Sequence, residues 1–396
     1  MNDMAANGRR EFEVIVVGLG AMGAATLHQL AKRRSGVLGI DRFHPPHARG
    51  ASHGDTRITR EAVGEGPAYV PLVRRSHRLV ADLERERGTS FLTRCGTVII
   101  GSAADEGASS PSGPDFVGHS IATARAFGIE HEVLDAVELR RRYPQFKAIA
   151  AGDRGYFEPN AGFMKPEALV AAQLDGARRL GAEVLTGTTV QRIRQAGHGV
   201  LVETDAGTFE ARRVVVAAGA WARTLLGEPY ASLLTVTRQV VHWYGVDDPS
   251  PFRPEAMPVF MWFVSNGRGD YFAGFPVTDR AEGLKMITHD EGPDIDHEAV
   301  PPAGEAEAMA FYRRYVAPNL AGVGPDTIRS ATCFYTSTPD GGFIIDRHPA
   351  MAGVMVVCAC SGHGFKHSLG VGEAVAQTLL DGTSEIDLAP FRLSRF

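Results

Sequence analysis

Residues 11–41 constrain this chain more than any other stretch. Glu11 to Val17 is a short apolar run rich in Val and Ile, the pattern of a buried strand. It passes directly into Gly18-Leu19-Gly20-Ala21-Met22-Gly23, then into helical composition from Ala24 to Arg34. A second apolar run, Gly36 to Ile40, is closed by Asp41. Strand, glycine-rich turn, helix, strand and acid, in that order, make G-x-G-x-x-G a dinucleotide-binding signature. The first glycine permits the tight turn, and the second lets backbone approach a pyrophosphate. The third lets helix and sheet pack closely, and the helix N-terminus presents its positive end to the phosphates. Asp41, 23 residues after Gly18, stands where a carboxylate accepts from a ribose hydroxyl. That argues against a 2′-phosphate and hence against NADP, and it leaves NAD and FAD both open.

Composition narrows the field further. With 396 residues, 44% hydrophobic and 22% charged, the chain is globular and long enough for about two domains. A net charge of −5 with no basic stripe argues against a nucleic-acid partner. No apolar run approaches the ~18–20 residues that span a bilayer, and Met1 to Arg10 lacks a signal-peptide core, so a soluble cytoplasmic protein is expected. Four cysteines make no disulfide framework and no metal site is expected; Cys358 and Cys360 are predicted to share one strand face. Of the 41 basic residues only five are lysines: Lys32, Lys147, Lys165, Lys285 and Lys366. Codon bias accounts for the many arginines, but it directs attention to each lysine, because an ammonium does chemistry that a guanidinium cannot.

Along the rest of the chain, helices are predicted over Val70–Arg87, within Phe116–Tyr143, and over Pro166–Leu180, Ala303–Arg314 and Gly370–Leu380. A loop is predicted over Ser102–Pro114. Residues 200–211 read as a hairpin and Arg213 to Trp221 as a buried strand ending in small residues. Residues 234–245 and 257–287 are strand-rich and aromatic, and further strands are expected near 330–335, 342–346 and 354–359. Nucleotide-binding signals therefore recur at 12–41, 213–221 and 354–373, with aromatic strand-rich stretches between them. The expected architecture is mixed α/β, α+β in places. A Rossmann-like nucleotide-binding domain (1–90, 151–230 and 325–396) is interleaved with an antiparallel-sheet substrate domain (91–150 and 231–324).

Further motifs carry a family resemblance: His53-Gly54-Asp55-Thr56-Arg57-Ile58-Thr59-Arg60, Gly283-Leu284-Lys285, Cys333-Phe334-Tyr335, Pro339-Asp340, and Ser361-Gly362-His363-Gly364-Phe365-Lys366. Together with the Gly18–Gly23 turn and the Ala217–Trp221 segment, they make the chain resemble, over essentially its whole length, the covalent-flavin amine oxidases of the D-amino-acid-oxidase superfamily. Within that superfamily the similarity is to the monomeric sarcosine oxidase and N-methyltryptophan oxidase group.

The resemblance implies FAD held by Gly18, Gly20, Gly23, Asp41, Ser52, Thr56, Gly219, Gly362, Gly364 and Lys366, with a thioether to Cys333. It implies Arg60 and Lys366 as a clamp on a substrate carboxylate, since a guanidinium binds carboxylate bidentately and an ammonium adds a point charge. It implies Lys285 over the other flavin face, promoting reaction with oxygen, and His53, Arg57, His289 and Tyr335 beside the reacting centre. The implied reaction is oxidation of the C–N bond of an N-methyl or other secondary or primary amino acid to an imine, with hydrogen peroxide as co-product. The implied protein is a monomer whose partners are a small amino acid or amine and molecular oxygen. Alternatives are a dehydrogenase with a non-oxygen acceptor and a flavin-bound protein without turnover. One departure bears on substrate size: where relatives carry tyrosine just before Gly-Phe-Pro, this chain has Ala273. The lost ring enlarges the expected pocket, with Met261 near the gap, and suggests substrates larger than N-methylglycine.

Overall fold

The computed structural model describes residues 9–102, 115–264, 271–279, 282–289 and 292–396; the loop expected over Ser102–Pro114 lies, beyond Ser102, outside them. The fingerprint folds as read. Strand β1 (Arg10–Val17) leads through the glycine turn into helix α1 (Ala21–Ala31), which returns to strand β2 (Val37–Ile40). Strands β1 and β2 pair in parallel, with Val17 opposite Ile40. On its other side β1 pairs in parallel with Gly207–Val216, with Val17 opposite Val216. The expected hairpin strand and buried strand are thus one continuous element. Its last residues pair in parallel with Met351–Cys358, whereas its first half turns back on Gly199–Thr204. With Glu183–Leu185 parallel to β2 on the outer side, the carboxyl ends of five parallel strands lie along one edge. In open α/β sheets that edge is where ligands bind, and here it releases Gly18, Asp41, Ala217 to Gly219 and the loop beginning at Ala359.

Helix α1 is buried at every position except Met22. A helix buried on every face must be covered on several sides, and it packs against the sheet and the helices Pro166–Arg179 and Ser368–Asp381. Two glycines make this corner possible. Gly18 has a φ of 85°, in the left-handed region. A Cβ on Gly23 would lie 1.7 Å from the carbonyl oxygen of Gly18, so only hydrogen fits where helix and turn touch.

A second eight-stranded sheet stands opposite. Its order is Val323–Ser337, Thr235–Val246, Leu284–Thr288, Tyr271–Phe275, Val259–Phe263, Thr97–Ser102, Asp153–Glu158 and Glu132–Asp135. Most of its contacts are antiparallel, the exception being Val259–Phe263 on Thr97–Ser102. Strand Asp153–Glu158 and all but the first two residues of Val323–Ser337 lie in this sheet, although they fall in the segments expected to form the nucleotide-binding domain. A three-stranded ribbon of Arg57–Thr59, Gly162–Met164 and Leu92–Thr93 completes the sheets. Among the described residues no helix is long and apolar enough to cross a membrane.

Replacing Gly23 with alanine should lower the melting temperature by several degrees, since overpacking a close contact costs about 1–3 kcal/mol or more. A thermal melt of the variant beside the wild type checks this; an unchanged midpoint would contradict the close approach.

Candidate active site

One cavity of about 490 Å³ lies between the carboxyl-end edge of the first sheet and the face of the second. It brings together every residue expected at the site except Gly23 and His53. Its floor is backbone. The N-cap residue Gly20 offers no side chain to cap the first turn of α1, where Ser52 Oγ accepts a long bond from Ala21 N at 3.3 Å. The buried Asp41 carboxylate accepts from Leu19 N and Phe43 N, each at 2.7 Å, and so fixes the turn while lining the cavity. At the far side, a Cβ on Gly364 would stand 1.9 Å from the carbonyl oxygen of Ala359. The turn Ser361–Gly364 is tied to the second sheet by Ser361 N donating to Thr336 O at 2.9 Å. A floor of close-packed glycine backbone beside an uncapped helix N-terminus fits a dinucleotide such as FAD. The strand ends at Cys358, so Cys360 falls in the turn beyond it rather than on the same strand face.

Lys285 stands in the cavity wall, between Trp243 and Phe275 in register and only 4% exposed. Its Nζ donates to the carbonyl oxygens of Gly54 (2.6 Å) and Thr56 (2.7 Å) and to Thr56 Oγ1 (3.0 Å). Burial, then the charge of Arg57, pushes its pKa well below the ordinary lysine range. Three oxygens nonetheless suit an ammonium with three donors better than an amine with two. Arg57 is held by Thr56 O (2.9 Å) and Ala51 O (2.6 Å). Beneath it, Glu167 Oε1 accepts from Gly54 N (2.5 Å) and Asp55 N (3.2 Å). His53 is buried, its Nε2 has no partner, and burial followed by Arg57 lowers its pKa to about 4. It is therefore neutral near pH 7. Cys333, 4% exposed, lines the same wall; burial raises its thiol pKa, and Arg57 and Lys285 oppose that rise.

The two cations expected to clamp a carboxylate lie together, and both already face one. Arg60 Nη2 donates to both oxygens of Glu65 at 3.0 Å. Lys366 Nζ approaches Glu65 Oε1 at 3.4 Å and donates to His363 O at 2.8 Å. The Arg60 and Lys366 side chains are each 2% exposed, and that of Glu65 is 11% exposed. Burial works to raise the Glu65 pKa, but the two cations outweigh it and hold the carboxyl well below its usual range. Burial lowers Lys366 to about 8, against the pull of Glu65. Glu65 was not singled out by sequence, although Gly64-Glu65-Gly66 set an acid in a turn five residues after Arg60. Glu158 also escaped notice. It is 1% exposed and accepts from Glu61 N (2.7 Å), Ala62 N (3.1 Å) and Tyr156 Oη (2.8 Å), holding the chain just past Arg60.

The remaining expected residues lie on the wall of the second sheet. Met261 is paired with Ala273 across the strands. The ring of His289 is 5.1 Å from that of Tyr335. Burial raises the Tyr335 pKa well above its ordinary value, with Tyr271 the next contributor. Lys32, Lys147 and Lys165 are exposed; the two lysines of the motifs are the buried ones. Among the described residues no group of three or more His, Cys, Asp or Glu is placed to hold a metal ion.

Comparison with known proteins matches nearly the whole chain. A family model described as FAD dependent oxidoreductase matches residues 13–378. A monomeric sarcosine oxidase of Streptomyces avermitilis is 39% identical over 94% of each chain. An N-methyl-L-tryptophan oxidase of Salmonella heidelberg is 32% identical over 98% of this chain and 99% of its own. Among solved structures, NikD, described as an unusual amino acid oxidase, superposes with a TM-score of 0.81 at 23% identity, covering 96% of this chain and 97% of its own. That likeness supports the fold. From the glycine floor of its cavity and the match over residues 13–378, the chain belongs to the FAD dependent oxidoreductase family.

Proposed function

We propose that the protein is a flavoprotein oxidase of amino acids, acting on the C–N bond of an N-methyl or other secondary or primary amine. The observation that carries this reading is the placement of two separate cationic groups in one glycine-floored cavity. Arg60 with Lys366 forms a carboxylate clamp, and Lys285 is buried in the opposing sheet. Bound FAD would supply the acceptor for two electrons from the substrate and pass them to dioxygen, giving hydrogen peroxide. The loss of two electrons and two protons makes an imine, which water hydrolyses to a carbonyl compound and an amine.

The chain's own residues do the rest. Arg60 and Lys366 bind the carboxylate when Glu65 gives it up, which fixes the orientation of the amine carbon. Tyr335, kept protonated by burial, faces the cavity without adding charge, and His53 stays neutral in the protein behind it, which favours the uncharged amine that must surrender electrons. Lys285, in a water-poor wall, stabilises negative charge developing on oxygen as it is reduced. Cys333 is the residue that would hold the flavin covalently, through its Sγ at the 8-methyl carbon. Arg57 and Lys285, the two cations that oppose the rise in its thiol pKa, favour the thiolate such attachment needs.

Replacement of Lys285 by methionine should slow reoxidation by oxygen by about 10²–10³-fold, the scale of losing one preorganised charge-stabilising donor. Reduction by substrate under anaerobic conditions should change far less. Stopped-flow measurement of the two half-reactions separates them; equal losses in both would contradict the assignment. Acid precipitation followed by peptide mapping tests the linkage. Wild-type protein should give a yellow pellet with the flavin mass on the Cys333 peptide, and Cys333→Ser a colourless one. A colourless wild-type pellet would reject covalent attachment.

A further inference from the structure

We infer that Tyr271 sets the side-chain specificity of this site: with the hollow left at Ala273, it forms a pocket for a bulky apolar, preferably aromatic, substrate side chain. This rests on the carboxylate-clamp reading above and extends it to the rest of the substrate.

Residues alternate along the strand Tyr271–Phe275, so Tyr271, Ala273 and Phe275 share one face, and all three line the cavity. Ala273 is the small member of that row. Across the ladder it faces Met261 on one side and Ile287 on the other, residues about 5 Å away in such pairings. A single methyl group among four large side chains leaves a hollow floored by Ala273. A tyrosine at 273 would fill it; here the tyrosine stands two residues earlier, on the same face and at the rim. Tyr271 is half-buried whereas Ala273 is buried. Its ring lies 5.0 Å from that of Phe263 and stacks at 25° with His289 at 6.3 Å. Tyr271 thus sets a phenol on the cavity wall beside the space that Ala273 leaves open.

Contacts connect this hollow to the clamp. The Arg60 guanidinium lies 5.3 Å from the Phe116 ring centroid. Phe116 is 5.4 Å from Phe263, which is the neighbour of Tyr271. A ligand whose carboxylate sits on Arg60 and Lys366 can therefore run its side chain along an aromatic wall. Thioether, branched aliphatic and aromatic surfaces give such a hollow affinity for flat apolar groups. N-methylglycine has no side chain to place there.

The test is a titration of the flavin absorbance spectrum of the holoprotein with acetate and with phenylacetate, which share a carboxylate and differ by one ring. The wild type should bind phenylacetate at least about tenfold more tightly, the discrimination expected of an apolar pocket. Ala273→Tyr, which fills the hollow, and Tyr271→Ala, which removes its roof, should each bring the ratio to about threefold or less. A wild-type ratio near one, or an unchanged ratio in either folded variant, overturns the inference. Acetate binding without preference for phenylacetate refutes this pocket alone; no binding of either acid refutes the carboxylate clamp and the pocket with it.

Discussion

The site depends on a buried carboxylate that keeps two buried cations together. Arg60 and Lys366 could not share a nearly solvent-free corner unless a counter-charge stood between them, because an unpaired buried charge costs several kcal/mol. Glu65 supplies that charge with a two-oxygen contact to Arg60 and a longer one to Lys366. A substrate carboxylate offers the same chemistry. The structure thus holds, inside the chain, a surrogate for the group it is proposed to bind, and substrate binding becomes an exchange of one carboxylate for another. That exchange conserves charge, so the clamp can be desolvated and still yield to a ligand.

The same logic recurs in the supports. Glu167 and Glu158 come from segments about a hundred residues away and accept from backbone amides at either end of the stretch that carries His53, Arg57 and Arg60. A loop fixed by buried acids at both ends presents its arginines from a rigid base, which placement within a fraction of an ångström requires. Across the cavity, Lys285 is presented by a sheet strand, so its ammonium reaches the loop oxygens of Gly54 and Thr56 from a frame that does not depend on the loop. The two halves of the site are therefore tied to each other directly, by hydrogen bonds from the second sheet to the segment that follows the glycine floor.

Much of this was legible in the sequence. The β1–α1–β2 unit and the helix Val70–Arg87 followed from local pattern and spacing, whereas Lys285 and Lys366 stood out through the family resemblance of their motifs. The structure brings nearly all the named residues to one cavity. What local pattern could not supply was long-range. Glu65, Glu158 and Glu167 are ordinary acids in sequence, and their importance lies in which distant amides and cations they meet. Tyr271 escaped notice because attention rested on the missing ring at 273, and only strand alternation and the neighbouring rings show that a phenol stands on the same face. The long strand Gly207–Val216 pairs with β1 along its length, but on its other side it changes from an antiparallel to a parallel partner, a change that leaves no local mark.

The most direct measurement of the central claim is the thermal stability of Glu65→Gln with and without acetate. Loss of the counter-charge should lower the melting temperature of the ligand-free variant by several degrees, since breaking a buried pair costs ~3–5 kcal/mol. Saturating acetate should restore most of that loss, binding about tenfold or more tightly than to the wild type, where it must displace Glu65. A variant as stable as the wild type, or one whose affinity for acetate is no greater, would contradict the account of Glu65 as the carboxylate that the substrate replaces.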